Sequence, residues 1–416
     1  MSQGLAIDRD RLIARLEALG EVGKLESGGN ARLALSDADK DGRDLVVGWM
    51  RDAGLQITVD KIGNIVGRRA GRRDDLAPVM TGSHIDTVRA GGKYDGNLGV
   101  LAGLEVVETL NDAGLETDRP ICVAIFTNEE GVRFPPDMLG SLVYVGGMAL
   151  DEALATTGID EASVGAELNR IGYAGAAEPG HTKPHAFVEL HIEQGPVLAA
   201  EDVTIGAVRD LQGISWQEVT IHGQSNHAGT TPMRLRHDAG YAAAAVAVHI
   251  RKLAAEMGRG QVATTGVIEL FPNIINVIAS RAKLTVDLRN TDERKLRDAE
   301  KNVARFLKDL AAAEGVRIET RKLARFEPVV FDAAIADLIV GVAKELGHSR
   351  RAMTSGAGHD AQMMARICPT AMIFVPSEKG ISHNPAEHTE PDDLGAGADV
   401  LLHTLLRLSD ATAQGE

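Results

Sequence analysis

Residues 121–126, ICVAIF, form an unbroken apolar run that leads through Thr-Asn into two adjacent acids, Glu129 and Glu130, and then Gly131. A short run with no polar alternation predicts a strand buried in a core. Similar runs recur as PVMTGSH (78–84), AFVELHIEQG (186–195) and TAMIFVP (370–376). Helical periodicity separates them over 8–20, 40–54, 98–113, 332–346 and 394–412, and Gly114 closes the third. Strands alternating with helices predict an α/β domain, with helices on both faces of a mainly parallel sheet.

The pattern changes between 210 and 327. The order there is strand (ISWQEVTIHG), helix (about 235–257), strand (TTGVIELF), strand (AKLTVDLRN), helix (about 292–314) and strand (VRIETRKLARF). That is β-α-β-β-α-β, the signature of a ferredoxin-like domain. The expected organisation is one catalytic domain of residues 1–209 and 328–416, with residues 210–327 inserted as a smaller domain.

Charge narrows the partners. Lys and Arg number 44 against 59 Asp and Glu, a net charge of −15. Nucleic acid and anionic membranes select basic surfaces, so neither is an expected partner. No apolar stretch reaches the roughly 18–20 residues of a membrane span. Charges interrupt every apolar run of the N-terminal helix, unlike a signal peptide. Two cysteines, Cys122 and Cys368, exclude a disulfide framework and make a reducing compartment, the cytoplasm, the expected location.

Ligands of open α/β sheets gather beyond the carboxyl ends of the strands. There the sequence places His84 and Asp86, Glu129 and Glu130, His191 and Glu193, and later His383 and His388; Asp95 lies in the GGKYDG loop. Imidazoles and carboxylates without thiolates suit Zn²⁺, Mn²⁺, Co²⁺ or Ni²⁺. The set is large enough for two ions sharing a bridging carboxylate. A dication would offset the repulsion between Glu129 and Glu130. Neighbours in an extended segment face opposite ways, so Glu130 is assigned to metal and Glu129 to the general base. Asp86 is expected to orient the His84 imidazole.

A second set lies in the inserted domain. GQSNHAGTTPM places His227 in a loop opening a helix, Asn276 offers both donor and acceptor, and Arg289 suits capture of a substrate carboxylate. The glycines of TSGAGHDA (354–361) permit close backbone approach to a ligand; His359 and Asp360 are not assigned as ligands.

Together GSHIDTVRAGGKYDGNLGVLAG, TNEEGVRF, ELHIEQGPVL, GQSNHAGTTPM, TSGAGHDAQ and GISHNPAEHT resemble the amidase branch of the M20 dinuclear metallohydrolases. That branch includes N-carbamoyl-L-amino acid hydrolases, β-ureidopropionases and allantoate amidohydrolases. The resemblance implies His84 and His191 on one metal, Glu130 and His383 on the other, Asp95 between them and Glu129 as base. It implies substrate contacts at Gln194, His227, Asn276, Arg289 and Gly358, with His227 also acting in catalysis. It further implies that the inserted domain is a lid that dimerises, with His227 reaching the active site of the partner subunit. The expected reaction is hydrolysis of a linear amide or ureido C–N bond, of an N-carbamoyl amino acid in the first instance. SHNPAEH resembles the allantoate type, whereas FPPDMLGSLVYVGG and DLRNTDE resemble the carbamoyl type. A non-catalytic binding protein on the same fold is the alternative outside the enzyme class; it would usually lack the base or a ligand.

Overall fold

The computed structural model describes residues 4–258 and 260–411. The chain divides into two compact units. One comprises the residues up to Arg209 together with those from Phe331 onward; the other is Asp210–Val330.

The first unit is built on a mixed sheet. Its strands run in the order Gln56–Val59, Ile65–Arg69, Ile121–Phe126, Val79–His84, Ala186–Ile192, Thr370–Val375 and Ile205–Leu211. The central four are parallel, and antiparallel strands extend the sheet on either side. Every residue of the central four is buried. Strands covered on both faces can dispense with polar alternation, which explains the unbroken apolar runs. Helices Asn97–Asp112 and Pro391–Ser409 pack on this sheet and on each other. Expectation and structure differ at helix ends. Asp37–Asp52 starts ahead of residue 40 because the Ser36 hydroxyl accepts the Asp39 N–H and caps it. The last helix starts at Pro391, a favoured first position; residue 412 of the expected span lies outside the described residues. The Arg350–Ser355 strand, polar and only half buried, gave no apolar signal.

Parallel strands share a direction, so His84, Phe126, Ile192 and Val375 end at one edge. The register pairs His84 with Phe126 and His191 with Phe374. Glu129 and Glu130 follow Phe126 by one turn, and the chain beyond Val375 leads to His383.

The second unit is an antiparallel sheet with the order Arg317–Phe326, Gly213–His222, Arg281–Asn290 and then Val262–Thr264, with Ile268–Phe271 also on Arg281–Asn290. Leu284, Val286 and Leu288 alternate inward and share a core with helices Ala239–Met257 and Glu293–Glu314. This is β-α-β-β-α-β with the second strand interrupted. Thr264 pairs with Asp287 and Ile268 with Leu284, so three residues oppose two: a bulge. The Ala239 helix begins later than residue 235 because Asp238 caps the N–H groups of Gly240 and Tyr241.

Candidate functional site

The parallel edge of the first unit gathers side chains from distant parts of the chain around Asp95. One oxygen, Oδ1, lies 3.2 Å from His191 Nε2 and 3.6 Å from His84 Nε2. The other, Oδ2, lies 3.4 Å from His383 Nε2, which is itself 3.4 Å from Glu130 Oε2. Of three groups of potential ligand atoms among the described residues, two share Asp95: His84, Asp95 and His191, and Asp95, Glu130 and His383; the third is Glu189, His191 and His359. Glu129 faces the first group, its Oε2 3.4 Å from His84 Nε2. The two adjacent acids reach different partners, Glu129 toward His84 and Glu130 toward His383, and Asn128 before them takes a left-handed φ of 57°.

Backbone carbonyls fix the imidazoles. His84 Nδ1 donates to the Asp86 carbonyl and His191 Nδ1 to the Ile192 carbonyl, both at 2.9 Å. A carbonyl only accepts, so each Nδ1 carries a hydrogen, and in the neutral imidazole Nε2 keeps its lone pair on the Asp95 side. The Gly96 N–H reaches His191 Nε2 at 3.2 Å. Gly96 has a φ of 66°, and a Cβ there would lie 2.4 Å from the His84 ring, so only glycine fits beneath it.

Lone pairs facing carboxylate oxygens repel unless a positive charge sits among them. Burial and mutual charge shift the titration of these groups. Burial pulls the His84 imidazole down, but Glu129, Asp95 and Asp86 outweigh it and hold it well above its ordinary value. Asp95 raises His383 to about 9. Burial would push Asp95 up, yet His191, His383 and His84 hold it well below the usual carboxylate range. Burial, joined by Asp95, pushes Glu130 up to about 8, and Glu129 is driven well above its usual range by burial in the same way. This donor set, nitrogen and oxygen around a shared carboxylate, fits divalent metal. Gln194 adds a second sign: its Nε2 donates to Asp95 Oδ2 at 2.8 Å, while its buried Oε1 has no partner.

Some expectations resolve differently. The Asp86 carboxylate does not orient His84; Oδ1 stands 4.0 Å from Nδ1, and the backbone carbonyl does that task. Glu193 caps the N–H groups of Val197 and Leu198. His388 pairs with Glu390 at 3.5 Å and belongs to none of the potential ligand groups. His359, unassigned from sequence, is buried with its ring 4.5 Å from that of His191 and its Nε2 against Ser355 Oγ. Gly358 precedes it, and a Cβ there would press on Met138. Glu387 has no role assigned from sequence: its carboxylate accepts the N–H groups of Tyr94 and Asp95, and its only sequence signal is its place in SHNPAEH.

The second unit holds the remaining three candidates. His227 is bridged to Val277, and the Ala228 N–H donates to the Asn276 carbonyl at 2.9 Å, so these two loops lie side by side. His227 Nδ1 accepts from Gly229 and Thr230, which leaves the hydrogen on Nε2. Arg289 is paired with Asp287 two residues away, at 3.0 Å, and lies over the Trp216 ring.

Comparison with known proteins gives the family. The model of Peptidase family M20/M25/M40 matches residues 80–407. An N-carbamoyl-L-amino-acid amidohydrolase of Rhizobium meliloti is 42% identical over 404 residues, 97% of this chain and 97% of that protein. A ureidoglycolate hydrolase of Arabidopsis thaliana is 35% identical over 420 residues, 98% of this chain and 88% of that protein. The crystal structure of a hydantoinase/carbamoylase family amidase from Burkholderia multivorans superposes with a TM-score of 0.94 at 44% identity, covering 97% of this chain and 98% of that one. With a family match over most of its length, full-length relatives and a cluster of potential metal ligands at the sheet edge, the chain belongs to peptidase family M20/M25/M40, in its hydantoinase/carbamoylase amidase branch, and is a hydrolase of amide C–N bonds.

Proposed function

We propose that the protein uses two divalent cations to hydrolyse an N-carbamoyl-L-amino acid, with one water, to the amino acid, carbon dioxide and ammonia. The observation that carries this reading is the Asp95 carboxylate, whose two oxygens face separate ligand groups. His84, Asp95 and His191 would hold one ion, and Asp95, Glu130 and His383 the other. Zn²⁺, Mn²⁺, Co²⁺ and Ni²⁺ all suit these donors. When bound, the ions supply Lewis acidity toward the scissile carbonyl and toward the attacking water.

Glu129 is buried next to the ligand groups without belonging to either, the position a general base needs. It takes the proton of the water and returns it to the leaving amine. His227, with its hydrogen on Nε2, would donate it to the oxyanion in the site of the partner subunit. Arg289 and Asn276 bind the substrate carboxylate, Arg289 exchanging part of its contact with Asp287; Gln194 and Gly358 complete the substrate contacts. Positioning the ureido group in this way converts binding into orientation.

The ureidoglycolate hydrolase relative keeps a second ureido substrate class in view, with allantoate beside it. We also propose a homodimer formed through the second unit. Ile268–Phe271 is an edge strand whose four residues are all exposed, and Ile274 and Ile275 extend the apolar patch. Both cysteines are free, in keeping with a cytoplasmic location.

The test is ammonia release from N-carbamoyl-L-alanine, N-carbamoyl-β-alanine, allantoate and ureidoglycolate by metal-loaded protein. Turnover of the first above the others supports the reading. Preference for allantoate or ureidoglycolate replaces it with the second, and ammonia from none contradicts both.

A further inference from the structure

The Asp95 loop and the His383 loop are nearly three hundred residues apart in sequence, yet one buried side chain joins them. Glu387 is 5% exposed. Its Oε1 accepts the N–H groups of Tyr94 at 3.0 Å and Asp95 at 3.2 Å. Its Oε2 lies 3.0 Å from Ser382 Oγ, and that hydroxyl is 3.1 Å from Asp95 Oδ2. Gly92 makes room for it, since a Cβ there would stand 2.2 Å from Glu387 Oε1. The carboxylate thus holds the backbone of Asp95 from one side and, through Ser382, the residue next to His383 from the other.

We infer that Glu387 is a positioning residue that sets the Asp95–His383 separation, and with it selectively the cation site formed by Asp95, Glu130 and His383. This inference rests on the two-cation reading above. The selectivity follows from how the other ligands are held. His84 and His191 end buried strands and are each pinned by a backbone carbonyl. His383 sits in a loop, has a side chain 51% exposed and takes a left-handed φ of 53°. Its place relative to Asp95 depends on contacts such as the Glu387–Ser382 chain. Supports behind a ligand typically change metal affinity by about 10–100-fold.

The test is titration of chelator-treated, full-length protein with Mn²⁺ by calorimetry, for the natural protein, Glu387→Ala, Glu387→Gln and Ser382→Ala. The natural protein should take two ions. Glu387→Ala should keep one of them and weaken the other by about 10-fold or more. Glu387→Gln should stay near the natural values, because the amide oxygen can accept both N–H groups and the amide N–H can donate to Ser382. Ser382→Ala, which leaves the backbone contacts intact, should weaken the same ion by less and serves if Glu387→Ala does not fold. Two natural-strength ions in both alanine variants would overturn the inference. So would equal loss of both ions, or a glutamine variant as weak as alanine. Fewer than two ions in the natural protein would instead overturn the two-cation reading, and this inference with it.

Discussion

Asp86 and Glu129 are joined across 43 positions by a hydrogen bond: the Glu129 N–H donates to the Asp86 carboxylate at 3.2 Å, and the Glu130 N–H donates to its other oxygen at the same distance. The second residue past the His84 strand therefore holds the turn that carries both acids. Its backbone carbonyl meanwhile fixes the His84 imidazole. One residue aligns the candidate base with the first ligand group.

Replacing Asp86 by alanine should loosen that turn without removing a ligand. Turnover should fall by about 10–100-fold, with weaker metal retention. Asn, which can accept with one oxygen only, should fall between. Steady-state kinetics with metal analysis checks this, and unchanged turnover in Asp86→Ala would contradict it.

Glu129→Gln should keep the metal content and the fold, because Glu129 is in neither ligand group. Turnover should drop by about 10²–10⁴-fold, the usual contribution of a positioned acid–base group. Metal analysis beside initial rates reads both halves. Retained turnover would remove Glu129 from the proton transfer.

Arg289 already has a carboxylate partner in Asp287. Arg289→Ala should lower kcat/KM for carboxylate-bearing substrates by about 10–100-fold, the range of a charged hydrogen bond. A ureido compound without a carboxylate should be affected little. Equal loss for both would assign Arg289 to the fold of its sheet.

Arg43 and Asp39 form an ion pair at 2.9 Å, with both side chains almost fully buried. The guanidinium also donates to the Gly63 carbonyl and to Thr127, two residues before Glu129. Arg43→Ala leaves Asp39 buried without its cation, at a cost of about 3–5 kcal/mol. Denaturant unfolding should register that loss; a change below about 1 kcal/mol would contradict the argument.

The candidate ligand side chains are legible in the sequence because each follows an apolar run or glycine loop that has to end at the sheet edge. His84, Glu129 and His191 need only the strand pattern and the rule that parallel strands end together. What holds them is less legible. The carbonyls of Asp86 and Ile192 are backbone atoms, which residue identity does not disclose. Glu387, His383 and His388 occupy one short motif, and spacing ranks them alike; the fold turns His388 toward Glu390 and Glu387 under Asp95. Asp287 and Arg289 visibly share a strand face, yet their pairing depends on rotamers. The bulge that splits 262–271 turns on one extra residue, which periodicity averages away.

The central claim is that Asp95 lies between two cations. Anomalous diffraction from crystals grown with Mn²⁺ tests it most directly. The account predicts two peaks per chain about 3.5–4 Å apart, one flanked by His84 and His191, the other by Glu130 and His383, with an Asp95 oxygen toward each. A single peak, or a pair away from Asp95, would contradict it.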